Sequence, residues 1–330
     1  MAARKNPPAI LLVGVGRWGM NHLRVWVRLQ AEGLCRLVGV QDADQQRLKE
    51  VAKEFGVKTF SDDSGLKLAD AVDVVVPTYN HFAVVKKALA AGKDVMVEKP
   101  MTETLAESRE LEKLQHKSKN VLMVGHLFRY NPAADYVKKL LVEKELGKIR
   151  FLRGRFMGFR FPEHDAGVLA TTAIHFIYMA NQFLGKTPIS VWAKTAHMLG
   201  TKLDDHCLIR LDYGSEFALI ESDYFTPGKY RTFDIVGTQG SVFVDLLNQE
   251  IDIHRKRHVK SGERFEAYDG GVVRQKMEFQ EPLDLEIRHF LKCIQDRSEP
   301  TTGLSDGLET LKIIEAAYES SRTGKTIPLN

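Results

Sequence analysis

Over its first stretch, roughly 125 residues, the chain alternates short continuous apolar runs with segments of helical spacing, and this alternation constrains the fold more than any other feature. Ala9 to Val13, Cys35 to Val40, Val72 to Val76, Asp94 to Val97 and Val121 to Val124 read as buried parallel strands. Trp18 to Ala31, Asp44 to Phe55, His81 to Ala91 and Leu105 to Lys117 carry helical spacing between them, and Gly56 and Gly92 close two of these helices. Short connections with right-handed crossovers then specify a doubly wound α/β sheet of Rossmann type, whose ligands bind beyond the carboxyl ends of the strands. Chemistry is therefore expected in the residues that follow strands: Gly14 to Gly19, Asp42, Pro77 to His81, Glu98 to Pro100, and His126.

From about Lys148 the pattern changes. Lys148 to Phe161, Ser190 to Thr195, His206 to Tyr213, Phe217 to Tyr224, Tyr230 to Val236 and Ser241 to Asp245 are strand-like and separated by turn residues. One helix, near Thr171 to Leu184, interrupts them, and Leu283 to Asp296 and Ser305 to Thr323 close the chain as helices. The expectation is an α+β domain with a large, mostly antiparallel open sheet. A length of 330 residues accommodates both domains. Residues 1–130 are assigned to dinucleotide binding and 131–330 to substrate binding and oligomerisation, with the boundary in a helix from Pro132 to Leu146 and the C-terminal helices packing back near the first domain.

Composition excludes several classes of function. Hydrophobic residues at 44%, charged residues at 27% and a net charge of +4 are ordinary for a globular cytosolic chain. Arg255, Lys256, Arg257 and Lys260 cluster at a hairpin and read as a solvated turn, so no nucleic-acid face is expected. The polar start from Met1 to Pro8 lacks the apolar stretch of a signal peptide, and runs such as Ala9 to Val15 are too short to cross a bilayer. A cytoplasmic protein without membrane partners is expected. Cys35, Cys207 and Cys293 are too few and too scattered for a disulfide framework or a zinc site, so they read as reduced thiols and no metal is expected.

Gly14-Val15-Gly16-Arg17-Trp18-Gly19 places G-x-G-x-x-G between a strand and a helix. The first glycine permits the tight turn, the second lets backbone approach a pyrophosphate, and the third allows close helix–strand packing. The helix start behind it offers N–H groups to phosphate. Asp42 follows the second strand, where a carboxylate accepts ribose hydroxyls and repels a 2′-phosphate; no arginine adjoins it before Arg47, which favours NAD over NADP. Asp44 is an equally good helix cap, leaving Asp42 for the ribose.

Glu98-Lys99-Pro100 follows the fourth apolar run at the same edge. A lysine there can hydrogen-bond a substrate hydroxyl and stabilise its developing alkoxide; the plainer reading is a surface lysine beside a helix-starting proline. The strings VEKPMTETLAES, VGHLFRYNPA, GKIRFLRGRFMGF and EPLDLEIRHFLKCI favour the first reading, because together, and in order, they resemble the glucose–fructose oxidoreductase/inositol dehydrogenase (Gfo/Idh/MocA) family. The resemblance implies an NAD-dependent dehydrogenase acting on CH–OH groups, with Lys99 catalytic. It puts Arg17, Trp18, Asp42, Pro77, Tyr79, His81, Glu98 and Lys99 against the dinucleotide alongside Gly14, Gly16 and Gly19, and Asn131 near the nicotinamide end. It also makes His175 the general base or acid, on a helix where family members carry Asp and His at i and i+4. Here the i position is Thr171, which forms hydrogen bonds but carries no charge.

Within the family, VGHLFRYNPA and FRFPEHDAGVLATTAIH look most like enzymes that oxidise C3 of UDP-N-acetylglucosamine or its uronate. Tyr130, Arg155, Arg160, Asp165, Thr171 and His175, with Lys99, are the expected substrate contacts; guanidinium groups suit a diphosphate or carboxylate. Two alternatives stay open: a dehydrogenase or reductase of a free sugar, inositol or lactone, and an NAD-binding sensor or structural protein without turnover. The resemblance also implies a homodimer or homotetramer.

Overall fold

The computed structural model describes residues 7–160 and 166–329, which form two compact units. Residues 1–126 and 283–311 make up the first unit, and residues 127–282 and 312–330 the second. The division thus falls before the helix from Pro132, and the segment from Leu283 to Leu311 groups with the N-terminal unit.

The first unit is built on β1 (Ala9–Val13), α1 (Gly19–Ala31), β2 (Arg36–Gln41), α2 (Gln45–Phe55), β3 (Thr59–Phe60), α3 (Ser64–Leu68), β4 (Ala71–Val74), α4 (His81–Ala90), β5 (Asp94–Glu98), α5 (Leu105–Ser118) and β6 (Leu122–Gly125). All neighbouring strands pair in parallel, in the order β3-β2-β1-β4-β5-β6. Strand β3 and helix α3 go beyond the sequence expectation; a two-residue strand leaves no period to read. The order reverses direction between β1 and β4, which is the switch point where ligands settle in open α/β sheets. Residues of β1, β4 and β5 are buried throughout, as expected of strands covered on both faces.

The second unit holds α6 (Pro132–Val142), β7 (Ile149–Gly158), α7 (Ile174–Leu184), β8 (Ser190–Ala196), β9 (His206–Asp212), β10 (Phe217–Asp223), β11 (Lys229–Gly237), β12 (Ser241–Asp245), β13 (Glu250–Ser261) and β14 (Arg264–Lys276). Helices α8 (Pro282–Asp296) and α9 (Leu304–Thr323) and the short β15 (Ile327–Pro328) complete the chain. The nine-stranded sheet runs β14-β13-β12-β11-β7-β10-β9-β8-β15 and is antiparallel except for the β7–β10 pair. The basic cluster around Arg257 lies on the β13–β14 hairpin, as the sequence suggested.

Leu152, Gly154, Phe156 and Gly158 are the buried phase of β7, whereas Arg153 and Arg155 take the opposite phase. Gly154 leaves room for the rings packed there: a Cβ would come within 2.8 Å of Phe233 and 2.9 Å of Phe176. Phe176, fully buried on α7, meets Phe233 at 4.5 Å, Phe156 at 5.5 Å and Phe128 at 5.9 Å between ring centroids. Cys35, Cys207 and Cys293 are buried free thiols. No described helix is long and apolar enough to cross a membrane.

Truncating Phe176 to alanine removes the centre of this ring cluster and is expected to cost about 3–5 kcal/mol of stability. Denaturant unfolding measures it; a loss below about 1 kcal/mol contradicts the packing described.

Candidate active site

The turn after β1 is closed by backbone on two sides and open on the third. Gly14 has φ +98°, and a Cβ there would lie 2.4 Å from the Val75 carbonyl oxygen. A Cβ on Gly19 would lie 2.1 Å from the Gly14 oxygen, whereas one on Gly16 would meet nothing within 4 Å. Two glycines therefore serve the chain's own packing, and Gly16 leaves space for a ligand's approach. At the N-terminus of α1, Trp18 contributes no side-chain cap and the first turn carries no acid, so the helix start stays available to an anion. Asp42 accepts hydrogen bonds from the amides of Val15 at 2.8 Å and Asp44 at 2.9 Å, joining the turn to the end of β2. Asp44, not Asp42, caps α2 by accepting from the Arg47 amide at 3.1 Å. Arg47 swings back to 3.7 Å from Asp42. An open glycine, an uncapped helix start and a carboxylate beyond β2 fit the pyrophosphate and ribose of a dinucleotide.

Behind this turn lies a buried charge cluster. Trp18, His22 and Trp26 follow one another at intervals of four along α1, so their polar tips share one helix face. Trp26 Nε1 donates to Asp73 on β4 at 2.7 Å, His22 Nδ1 lies 2.8 Å from the same oxygen, and His22 Nε2 lies 3.3 Å from Glu98 Oε1 at the end of β5. Trp18 Nε1 donates to Glu98 Oε1 at 2.8 Å, and the Lys99 amide donates to Glu98 Oε2 at 3.2 Å. Gly125 on β6 makes the room, since a Cβ there would stand 2.9 Å from Glu98 Oε1.

Burial alone would favour a neutral histidine, but Asp73 and then Glu98 outweigh it and raise His22 from 6.5 to about 10. Glu98, whose burial acts the other way, is held down to about 2 by His22, Lys99 and Trp18. Glu286 on α8 is fully buried, and neither of its carboxyl oxygens has a hydrogen-bond partner among the described residues. Burial and the Glu98 charge push it well above the carboxylate range, so it is the neutral member of the cluster.

His81 completes the frame around Lys99. Its ring nitrogens lie 2.8 Å from the Pro100 carbonyl and 2.9 Å from that of Val76. Burial pulls its pKa down, so the ring is neutral and donates to one carbonyl at a time. Both neighbours of Lys99 are thus clamped while Lys99 itself stays partly exposed. His126, just past β6, is neutral as well, pushed down to about 3 by burial and then by the Lys99 charge. Arg17, Trp18, Pro77 and Tyr79 are exposed; His81 and Glu98 are interior and hold the frame instead of facing solvent.

In the second unit, His175 stacks on Phe156 with ring centroids 5.7 Å apart and planes 8° from parallel, and meets Phe128 edge-on at 5.2 Å. A turn of wider, π-type helix over Leu169–Ala173 precedes α7, a distortion that accompanies functional sites. Asp204 supports it by accepting from the Leu169 amide and the Tyr318 hydroxyl, each at 2.8 Å. Thr171 donates to the Gly167 carbonyl at 2.9 Å and lies 3.0 Å from the Tyr224 hydroxyl, so a neutral hydroxyl pair occupies the i position.

Asn131, Arg155 and Tyr130 sit in the following surroundings. Asn131 is fully buried, caps α6 by accepting from the Ala133 amide at 3.0 Å, and donates to the Leu246 carbonyl at 2.8 Å; both ends of its amide serve the second unit's own structure. Arg155 lies on the opposite face of the sheet from Phe156 and His175, 3.8 Å from Asp234. Tyr130 is buried, with 9% of its surface exposed. Arg160 does stay on the His175 side, over the rings of Phe156 and Tyr224. Asp165 lies outside the described residues.

The sequence reading missed His22, Asp73, Glu286 and Arg231. Asp73 interrupts an apolar strand, Glu286 lies on the apolar face of α8 between Leu283 and Phe290, and Arg231 shares the inward phase of β11 with Phe233 and Ile235. A charge in an apolar period was the available signal.

Comparison with known proteins agrees with this geometry. Residues 9–126 match the oxidoreductase family with an NAD-binding Rossmann fold, and residues 138–329 match that family's C-terminal alpha/beta domain. A UDP-N-acetylglucosamine 3-dehydrogenase of Acidithiobacillus ferrooxidans is 31% identical over 314 residues, covering 93% of this chain and 94% of the relative. Its solved structure superposes with a TM-score of 0.81 at 25% identity, covering 96% and 98% of the two chains. A scyllo-inositol 2-dehydrogenase (NAD(+)) of Bacillus subtilis is 28% identical over 339 residues, covering 97% and 95%. The chain belongs to the Gfo/Idh/MocA oxidoreductase family and is an NAD-dependent oxidoreductase of the dehydrogenase type.

Because Asp73 and Glu98 outweigh burial and raise His22 above its free value of 6.5, its contribution to stability is complete below that pH and drains as pH climbs to about 10. The stability gap between wild type and His22→Gln should therefore narrow across that window in denaturant titrations; a gap independent of pH contradicts the charged pair. Glu286→Gln, which replaces an already neutral acid, should change stability by less than about 1 kcal/mol at neutral pH.

Proposed function

We propose that the chain oxidises a sugar carbinol, C3 of a nucleotide-linked sugar, with Lys99 and His175 handling the hydroxyl proton. The observation that carries this reading is the clamping of Lys99. The carboxylate that holds Trp18 of the glycine-rich turn also accepts from the Lys99 amide, so the lysine is fixed to the dinucleotide turn itself.

Gly14, Gly16 and Gly19 would admit the pyrophosphate, Asp42 the ribose, and the exposed Arg17, Trp18, Pro77 and Tyr79 the remaining surface of NAD. When bound, the nicotinamide supplies the acceptor for the hydride that leaves carbon. Lys99 Nζ donates a hydrogen bond to the carbinol oxygen and stabilises the negative charge that grows there. A ring nitrogen of His175 takes the hydroxyl proton. Thr171, bonded to Tyr224, orients groups but accepts no proton, so the i position adds no charge beside His175.

Similarity to a UDP-N-acetylglucosamine 3-dehydrogenase at 31% identity supports the nucleotide-linked sugar. A second reading, a free inositol or sugar, is favoured by the 28% identity to scyllo-inositol 2-dehydrogenase. A homodimer or homotetramer in the cytoplasm belongs to the same reading; the exposed Phe265, Tyr268, Val272 and Val273 of β14 support self-association.

Incubation of the protein and NAD with UDP-sugars, free sugars and inositols, followed by absorbance of reduced nicotinamide, tests the reading. Reduction by UDP-N-acetylglucosamine is expected. Reduction by unlinked sugars or inositols alone transfers the assignment to the second reading, and silence across the panel despite NAD binding overturns the dehydrogenase reading. Thr171→Asp should shift the pH dependence of kcat/KM governed by His175 to higher pH, since a carboxylate one turn away favours imidazolium. An unmoved profile contradicts His175 as proton acceptor.

A further inference from the structure

A lone carboxylate beyond the second strand of a dinucleotide-binding sheet excludes a ribose 2′-phosphate by repulsion. Asp42 is not alone. Its Oδ2 accepts from the Val15 amide at 2.8 Å and its Oδ1 from the Asp44 amide at 2.9 Å, while Arg47 Nη1 lies 3.7 Å from Oδ2. Arg47 Nη2 lies 3.6 Å from Asp44. Asp42 and Arg47 are apart in sequence, and the turn from β2 into α2 brings a cation against the carboxylate.

That guanidinium is available to a ligand. Both of its contacts are longer than hydrogen bonds, so among the described residues none of its N–H groups is committed to one. Its side chain keeps 44% of its surface exposed, and half-exposed ion pairs of this length hold a side chain weakly. The start of α2 adds to the attraction for an anion: Asp44 occupies the Arg47 amide, and the first turn carries no acid. The acids that follow β3, the neighbour of β2, are engaged. Asp63 pairs with Lys87 and accepts from Gln41 at 3.3 Å, and Asp62 accepts from the Ser64 amide at 2.9 Å.

We propose that Arg47 lets the adenosine end of the dinucleotide site take a ribose 2′-phosphate, so that the chain binds NADP(H) as well as NAD(H). With NAD(H) the ribose hydroxyls donate to Asp42, and Arg47 stays against the two carboxylates. With NADP(H) the guanidinium turns to the phosphate, whose oxygens accept from its fork and whose charge it offsets. Asp42 then keeps the remaining ribose hydroxyl. The exchange moves one exposed side chain on the first turn of α2, so Arg47 is the specificity-determining residue and Asp42 serves both cofactors. The inference rests on the dinucleotide site and not on the identity of the sugar.

Calorimetric titration with NADH and with NADPH, in the absence of any sugar, tests it without turnover. NADPH should bind within about tenfold of NADH at low ionic strength, and its affinity should fall faster as salt rises. Arg47→Gln should weaken NADPH by about tenfold or more and leave NADH within about twofold, while Arg47→Lys keeps part of the NADPH affinity. Retained NADH binding shows that the variant is folded. Arg36→Gln, at the opposite end of β2, should change neither cofactor. Wild-type protein that binds NADPH more than about tenfold more weakly than NADH overturns the inference. So does an Arg47→Gln variant that weakens the two cofactors alike, or neither.

Discussion

The contact on which the first unit's chemistry depends is the one between Glu98 and the residues gathered on it. Glu98 ends a buried strand, where an isolated carboxylate would be costly. Two donors, the Trp18 indole and the Lys99 amide, make it tolerable together with the charge of the His22 ring, itself held by Asp73. Each comes from a different part of the unit. Trp18 belongs to the dinucleotide turn, Lys99 follows β5, and His22 lies on α1 against Asp73 of β4. A single carboxylate thereby fixes the phosphate turn and the lysine in one frame, and the frame is electrostatic instead of apolar. His81 stands between the Val76 and Pro100 carbonyls and donates to one of them at a time.

The cluster also shows how charges are apportioned inside a protein. Around His22 stand three acids, Asp73, Glu98 and Glu286, and one imidazolium does not balance three carboxylates. Glu98 keeps its charge because it has hydrogen-bond donors. Glu286 has none among the described residues, so it keeps its proton. In the second unit the logic differs. His175 is set by rings, Phe156 and Phe128, and the position that would hold a charged partner is filled by the Thr171–Tyr224 hydroxyl pair. Two cations, Arg160 and Arg231, lie over the same Phe156 ring.

What the sequence disclosed follows from which features are periodic. The strands β1, β2, β4, β5 and β6 and the helices α1, α2, α4 and α5 were legible because continuous apolar runs alternate with amphipathic ones, and Gly14 to Gly19 stood where that pattern requires a ligand turn. Strand β3 was not legible, because Thr59–Phe60 is shorter than any period. Side-chain commitments were also hidden. Nothing in the order of residues announces that Asn131 spends its amide on Leu246, or that Arg155 and Arg160 point to opposite sides of one sheet. Strand alternation separates residues 155 and 160 only if β7 continues to the second of them, and it ends at Gly158. Asp73, Glu286 and Arg231 were visible as charges in apolar phases, and each proved to belong to a buried electrostatic arrangement.

In the proposed reaction the Glu98 frame presents Lys99 to a reacting hydroxyl. Lys99→Met removes the ammonium and retains the backbone that Glu98 holds. Single-turnover reduction of NAD by UDP-N-acetylglucosamine, measured beside equilibrium NAD binding, separates presentation from cofactor affinity. The account predicts nearly unchanged NAD affinity and a rate lower by about a hundredfold or more. A variant that binds NAD as wild type does and reduces it at the wild-type rate would contradict the account.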